Sequence, residues 1–476
     1  MNPHIDAMTL FLEGSLALAE VERVGMKVDT AYLDQAIADV SAKIDRRQKR
    51  LRADKTFDLW RRTFGQRTNL GSRVQLATVI FDKLGYEPAG QTQSGRDKTD
   101  KRSLESVDLP FVKTLLELES LKKLRAVSLE GLKRELVDGL LHPDLHLHTV
   151  KSYRGSSGGG AGDDEGGSYN SQNIPARDLK QAEIVRRAFI PRPGRVLVEN
   201  DFAAHEFKLG AIVWDDPEML RYASDKSKDI HRDMAMRCFL LEQEDVTKES
   251  RYVGKNGFVF PKMYGSYWKS IARAMWSEMG NRKLARLRDG VGLHEHLAAK
   301  GISELGDADP REGPRPGTFE AHIKTVEEWF LKKFHVFAER TERAWAEYRA
   351  TGEWRMKTGF VVRGIYSKNA RLNYDVQGPA FHCLLWSLTR LVMKELRRRK
   401  MKARVINQVH DCSVGDVPEK ELQDYINLVR EIVEVKLPKA WPWLSIGLEI
   451  ECEVCPQNWF GKEKWIQGED GVWGLP

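Results

Sequence analysis

Two aspartates far apart in the chain, Asp201 in "RVLVENDFAAHE" and Asp411 in "RVINQVHDCSVGDV", each follow a β-branched, mostly apolar run. Such runs read as strands, and a bare carboxylate there is costly unless a cation meets it. Paired strand-borne carboxylates are a donor set for hard divalent cations: magnesium takes a few carboxylates plus water and substrate phosphates rather than a closed protein cage. Two such ions clamp the attacking and leaving oxygens of an in-line phosphoryl transfer. Between the aspartates lies "RYVGKNGFVFPKMYG", residues 251–265. On a helix Arg251 and Lys255 stand one turn apart on the same face, so both reach one triphosphate, while Phe258, Phe260 and Tyr264 offer aromatic surface to a base or sugar. Taken singly, an aspartate is more often a cap or a surface charge, and a basic helical face is more often merely solvated. The aromatic interleaving and the terminal Tyr-Gly weigh against that bland reading.

The elements that must position these groups can be read from periodicity. Helical spacing covers residues 8 to about 50 with a turn at Gly25, and again "DLPFVKTLLELESLKKLRAVSLEGLKRELV". A glycine-rich acidic loop, "GSSGGGAGDDEGGS", follows at 155–168. "RVLVEND" is a strand with Asp201 at its end, after which residues 227–276 are helical around a break at Pro261, and 319–350 are helical again. "WRMKTGFVVRGIY", the hairpin holding Asp411 and "WLSIGLEIECEV" make a strand-rich end. The class is α/β (α+β), an antiparallel sheet with two mainly helical lobes. A chain of 476 residues supports a sizeable core, and 76 basic against 69 acidic residues, +7 overall, favour a polyanionic partner. Five scattered cysteines form no disulfide framework and suit a reducing cytoplasm; the N-terminal stretch is not a signal peptide, and no apolar run is long enough to span a bilayer.

These stretches resemble family A DNA polymerases in order and nearly end to end: "DFAAHE" resembles motif A, "RYVGKNGFVFPKMYG" motif B and "QVHDCS" motif C. "SYNSQNIP", "DIH" and "NYDVQGPAFHCLLWSL" flank them, and "LALAEVERVGMKVDTAYL", "TLLELESLKKLRAV" and "LHPDLHLHTVKSYRGSS" resemble the approach to the thumb, the thumb and the return to the palm. The resemblance implies a right-hand polymerase: 1–146 N-terminal palm edge and thumb, 147–235 palm with motif A, 236–345 fingers with motif B, 346–476 palm with motif C. It implies that Asp201 and Asp411, with the backbone carbonyl of Phe202, hold two Mg2+ ions. Arg251, Lys255 and His231 would bind the incoming dNTP, with Lys255 protonating the departing pyrophosphate; Glu206 would exclude a 2′-hydroxyl and Tyr264 would back the template base. Arg154, Asn373, Gln377 and His410 would contact primed template DNA.

The pattern departs from the family in several places. Motif B carries one more residue between Lys255 and Tyr264 than the common bacterial spacing, so counting back from Tyr264 assigns the sugar-facing aromatic to Phe260. The glycine-rich loop alters the spacing after Arg154, and Cys412 stands where bacterial relatives usually have glutamate. If strand alternation runs through the hairpin, Asp411 faces the metals and Cys412 points away as a packing residue. The wording of motifs B and C is nearest to phage enzymes, which implies viral replication in a bacterial host cytoplasm by a monomer. The thumb-leading segment begins almost at Met1, leaving no room for proofreading here. A separate exonuclease, helicase or primase is the protein partner this implies. Two alternatives stay open: a single-subunit RNA polymerase, against which Glu206 and "QNIP" speak, and a catalytically inactive DNA-binding subunit.

Overall fold

The computed structural model describes residues 6–475 except 89, 93, 159–168, 177, 282–286, 310–312 and 410. The chain divides into two units. The smaller is built on Asp29–Arg134. Its long helix, Thr30–Arg52, starts where the Asp29 carboxylate accepts the Tyr32 N–H and buries Leu33, Ala36, Val40, Ile44 and Leu51 along one face. That stripe packs against the Pro110–Lys123 helix, which buries Phe111, Val112, Leu115 and Leu118. The outer face of the long helix exposes Lys43, Arg46, Lys49, Arg50 and Arg52.

The larger unit is organised by a six-stranded sheet. Its strands are β1 (Arg195–Phe202), β2 (Arg404–Val409), β3 (Cys412–Pro418), β4 (Ile450–Cys455), β5 (Glu463–Gln467) and β6 (Trp473–Gly474). They lie in the order β6-β5-β4-β1-β3-β2, antiparallel throughout, so β1 is flanked by β3 and β4. Asp201 is thereby opposite Cys412 on one side and Glu451 on the other. Side-chain alternation sends Val196, Val198 and Phe202 into a core shared with Leu384, Leu388 and Val392. Glu199 and Asp201 fall on the other face, where Trp459 Nε1 donates to Glu199 at 2.6 Å and Lys462 pairs with the same carboxylate. A second core, around Phe258, Phe330, Phe334 and Phe337, supports the helices that follow β1. Among the described residues, no helix is long and apolar enough to cross a membrane.

The helical breaks differ from the expected ones. Residues Lys248–Met263 form one continuous helical run, and Pro261 does not end it. The turns over Gly254–Val259 are π-helical, with the Phe260 N–H donating to Lys255 O five residues back. A wider turn just before the proline relieves the clash its ring would make with a regular helix, and it also absorbs one surplus residue. The breaks instead fall between Phe239 and Lys248 and between Met263 and Trp268, and another splits the later helix at Phe334. The motif B helix lies against the Ile230–Phe239 helix so closely that a Cβ on Gly254 would sit 2.8 Å from the His231 carbonyl oxygen. Backbone cannot yield as a flexible side chain does, so Gly254→Ala should destabilise the folded protein by about 1–3 kcal/mol in urea unfolding. Unchanged stability would show that the two helices separate freely.

Candidate active site

Val409 of β2 pairs with Cys412 of β3, and Asp411 lies in a turn just before β3. His410 lies outside the described residues. Because Asp411 belongs to the turn, strand alternation does not run through it, and the expectation that Cys412 points away from the face of Asp201 fails, although Cys412 is the buried packing residue expected. Cys412 is opposite Asp201 in the ladder, and cross-strand partners share a face. Its thiol is 8 % exposed, and burial, with the charges of Glu199 and Asp201, pushes its pKa far above the usual thiol value. A protonated soft thiol is a poor partner for magnesium, so the carboxylates alone carry the charge. Asp201 keeps part of its surface open to solvent while many protein atoms surround its carboxylate. Burial first, then Asp411 and then Glu199, push its carboxyl up to about 7. The cation that meets Asp411 here is Arg154, whose Nη2 is 3.4 Å from Oδ1.

Next to this pair stands Glu206, in the first turn of the His205–Trp214 helix. It accepts from Gln377 Nε2 at 3.4 Å, and its carboxyl is raised by burial and then by Asp411 while Arg154, Tyr264 and Lys255 pull it down. Glu206 therefore stands within electrostatic reach of both the acid pair and motif B. The Phe260 ring stacks on Tyr264 (6.1 Å between centroids, 24°), meets His231 edge-on at 5.5 Å and has Lys255 Nζ 5.2 Å from its centroid. Phe258 is instead wholly buried, with its ring against Phe330. The π turn thus presents Phe260, and not Phe258, beside Tyr264 and Lys255. His231 is held down to about 3 by burial and by the Lys255 and Arg251 charges, so it is neutral at pH 7. Its Nδ1 is buried without a hydrogen-bond partner. Asn373 and Gln377 lie one turn apart on the Lys368–Leu384 helix, on the same face.

Arg251 is the one cation of motif B whose position needed a residue that was quoted in the sequence without a role. Asp229 caps the Ile230–Phe239 helix by accepting the His231 and Arg232 N–H groups, and the same carboxylate holds Arg251 through Nε at 2.7 Å and Nη2 at 3.2 Å. The "DIH" spacing is the signal that could have found it: an aspartate directly before a helical His reads as a cap.

The sequence model of DNA polymerase family A matches residues 34–283, more than half of the chain. The chain belongs to DNA polymerase family A. The matched stretch holds Asp201, Glu206, His231, Arg251, Lys255 and Tyr264. Among curated family members, the chain is 27 % identical over 463 residues to DNA polymerase I of Geobacillus stearothermophilus, covering 96 % of this chain and 46 % of that one. It is 27 % identical over 461 residues to the thermostable DNA polymerase I of Thermus aquaticus, covering 94 % and 48 %. The chain spans about half the length of the curated relatives it matches. The POL domain of Pol1 from M. smegmatis, solved in complex with DNA primer-template and dNTP, superposes with a TM-score of 0.71 at 22 % identity, covering 94 % of this chain and 70 % of that one. The chain has that fold.

Two carboxylates at adjoining strand ends fit divalent cations of the family's kind. Burial first, and then the neighbouring carboxylates, raise the Asp201 carboxyl, an arrangement that a bound cation relieves, and an oxygen pair completed by water and phosphate suits magnesium. Among the described residues no group of three or more His, Cys, Asp or Glu side chains could hold a metal, so a closed cage is not offered. The charge repulsion also has a sign. A carboxyl raised by folding opposes the folded state once pH passes its unfolded value, and does so fully above about 7. Asp201→Asn should therefore raise the melting temperature of the metal-free protein at pH 8 more than at pH 5, and added magnesium should stabilise the parent chain but not the variant. A variant less stable than its parent at both pH values would mean that Asp201 is satisfied by the protein alone.

Proposed function

We propose that the chain is the catalytic part of a DNA-directed DNA polymerase that adds dNTPs to a primer 3′ end by two-metal phosphoryl transfer. The observation that carries this reading is the convergence on Glu206: Asp411 acts on it from the sheet, and Lys255 and Tyr264 act on it from motif B. The neighbour solved with primer-template and dNTP supports DNA and dNTPs as partners. In this reading the sheet is the palm, the helices around the second core are the fingers, and the Asp29–Arg134 unit, with its basic outer face, is the thumb. A phage replication setting, with a separate exonuclease, helicase or primase acting alongside a monomeric polymerase, rests on the wording of motifs B and C.

Asp201 and Asp411, with the Phe202 carbonyl, would hold two Mg2+ ions, which when bound activate the primer 3′ hydroxyl and neutralise charge on the transferring phosphoryl and the leaving oxygen. The rest is positioning by the chain itself. Arg251 exchanges the Asp229 carboxylate for triphosphate oxygens, joined by the ammonium of Lys255 and the neutral imidazole of His231. Lys255 carries the proton that the departing pyrophosphate takes up. Glu206 fills the space a 2′-hydroxyl would need, and its bond from Gln377 holds it there. Phe260 lies under the sugar and Tyr264 behind the template base, while Asn373, Gln377, Arg154 and His410 contact the duplex near its end.

Primer extension with each nucleotide type, with and without magnesium, tests the whole. Asp411→Asn should abolish magnesium-dependent extension and Cys412→Ser should keep most of it; a Cys412→Ser protein that folds, binds DNA and is equally dead would give the thiol a catalytic role. Glu206→Ala should raise rNTP use relative to dNTP use by about 10- to 100-fold, the range a single steric group commands. Phe260→Tyr should weaken discrimination against dideoxynucleotides, because the added hydroxyl supplies the contact a missing 3′-OH loses. The same effect from Phe258→Tyr instead would contradict the geometry of the π turn.

A further inference from the structure

The strand of chain that carries Arg154 is fastened to the Lys368–Leu384 helix at unusually short range. A Cβ on Gly378 would lie 2.8 Å from the Ser152 carbonyl oxygen, and one on Gly155 would lie 2.5 Å from the Phe381 ring. His382, next on that helix, is fully buried and uses both ring nitrogens: Nε2 is 3.0 Å from the Tyr153 carbonyl oxygen and Nδ1 is 2.7 Å from Thr358 Oγ1. A carbonyl only accepts, so Nε2 carries the proton and Nδ1 accepts from the Thr358 hydroxyl. Between these contacts Tyr153 holds a left-handed backbone, φ +57°. That conformation is strained for a residue with a Cβ and persists only where its surroundings over-determine it. They do so here: its N–H donates to Val150 O at 2.9 Å, its hydroxyl donates to Val361 O at 2.9 Å, and its ring packs against Phe360 and Phe11. The residue so aimed is Arg154, 3.4 Å from Asp411.

We propose that Tyr153 and His382 are positioning residues that hold Arg154 on Asp411 as a built-in counter-ion, which a divalent cation has to displace and which an arriving primer–template draws away. For the metal and the DNA it rests on the polymerase reading above. A guanidinium and a magnesium ion compete for the same carboxylate lone pairs, so the lock weakens metal binding while no DNA is present. Thermodynamic reciprocity then makes DNA and metal promote each other's binding.

The test measures Mn2+ binding to the DNA-free protein by electron paramagnetic resonance, and primer–template binding without metal by fluorescence anisotropy. Arg154→Ala should bind Mn2+ about threefold or more tightly and DNA more weakly, the scale of a modest coupling. His382→Ala should reproduce both shifts and add nothing to Arg154→Ala in the double variant. His382→Gln, whose side-chain amide can still donate to the Tyr153 carbonyl, should restore the parent values. Tyr153→Phe, which removes one of the three anchors, should shift Mn2+ binding the same way by less and serves if His382→Ala does not fold. Weaker or unchanged Mn2+ binding in Arg154→Ala, or effects of His382→Ala that add to it, would overturn the proposal. Magnesium-dependent primer extension by the parent chain separates the two readings: extension without the Mn2+ shift sinks the lock alone, whereas the shift without extension keeps the lock and sinks the polymerase.

Discussion

Two carboxylates at the same end of one sheet repel each other, and much of the larger unit can be understood as the means of holding them there. Asp201 ends β1, and Asp411 sits in the turn between β2 and β3, so the antiparallel ladder sets their approach. Burial and mutual charge keep Asp201 half-protonated near pH 7. Such a site stores electrostatic energy that the surrounding fold has to offset, chiefly by the apolar face of the same sheet. Val196, Val198 and Phe202 alternate with the acidic residues along β1 and tie it to the helices beneath. The cost at the rim and the stabilisation in the core are thus carried by alternate residues of one strand.

Cations answer that charge from several directions, each held by a partner of its own. Arg154 rests on Asp411, Arg251 on Asp229, and Lys462 on Glu199, on the same face of β1 as Asp201. Lys255 has the face of Phe260 near it and no ion-pair partner among the described residues. In the proposed mechanism this cation is the one given a proton to move, while the paired ones are groups proposed to exchange one anion for another. Exchange between comparable partners is readily reversible, which suits a site that turns over.

The π turn at Gly254–Val259 takes up the longer Lys255–Tyr264 spacing that the resemblance implies and keeps Tyr264 beside Glu206. One extra residue in a regular helix rotates everything after it by about 100°, which would have carried Tyr264 away from Glu206. A wider turn takes up that rotation, and the proline that follows has no N–H to lose and less carbonyl to meet. Phe258 goes to the core and Phe260 to the cleft as a direct result.

Periodicity and composition determined the strand before Asp201, the paired helices of the N-terminal half and a strand-rich end, and resemblance to known motifs supplied the family. These are local properties, set by which side chains alternate or recur on one face. The helix through Pro261 and the direction of Cys412 were misread for a common reason. Each depends on where a regular repeat stops, and the stop is decided by packing: the close approach of Gly254 to His231 in one case, the turn that takes Asp411 out of the strand in the other. The partner of Arg154, and the left-handed Tyr153 held by His382, were invisible for a second reason. Arg154 and Asp411 are 257 residues apart, and His382 and Tyr153 are 229 apart. Nothing local distinguishes a guanidinium that will meet a carboxylate across such a span from one that will meet water, so only the folded sheet and the helix laid against it could decide the matter.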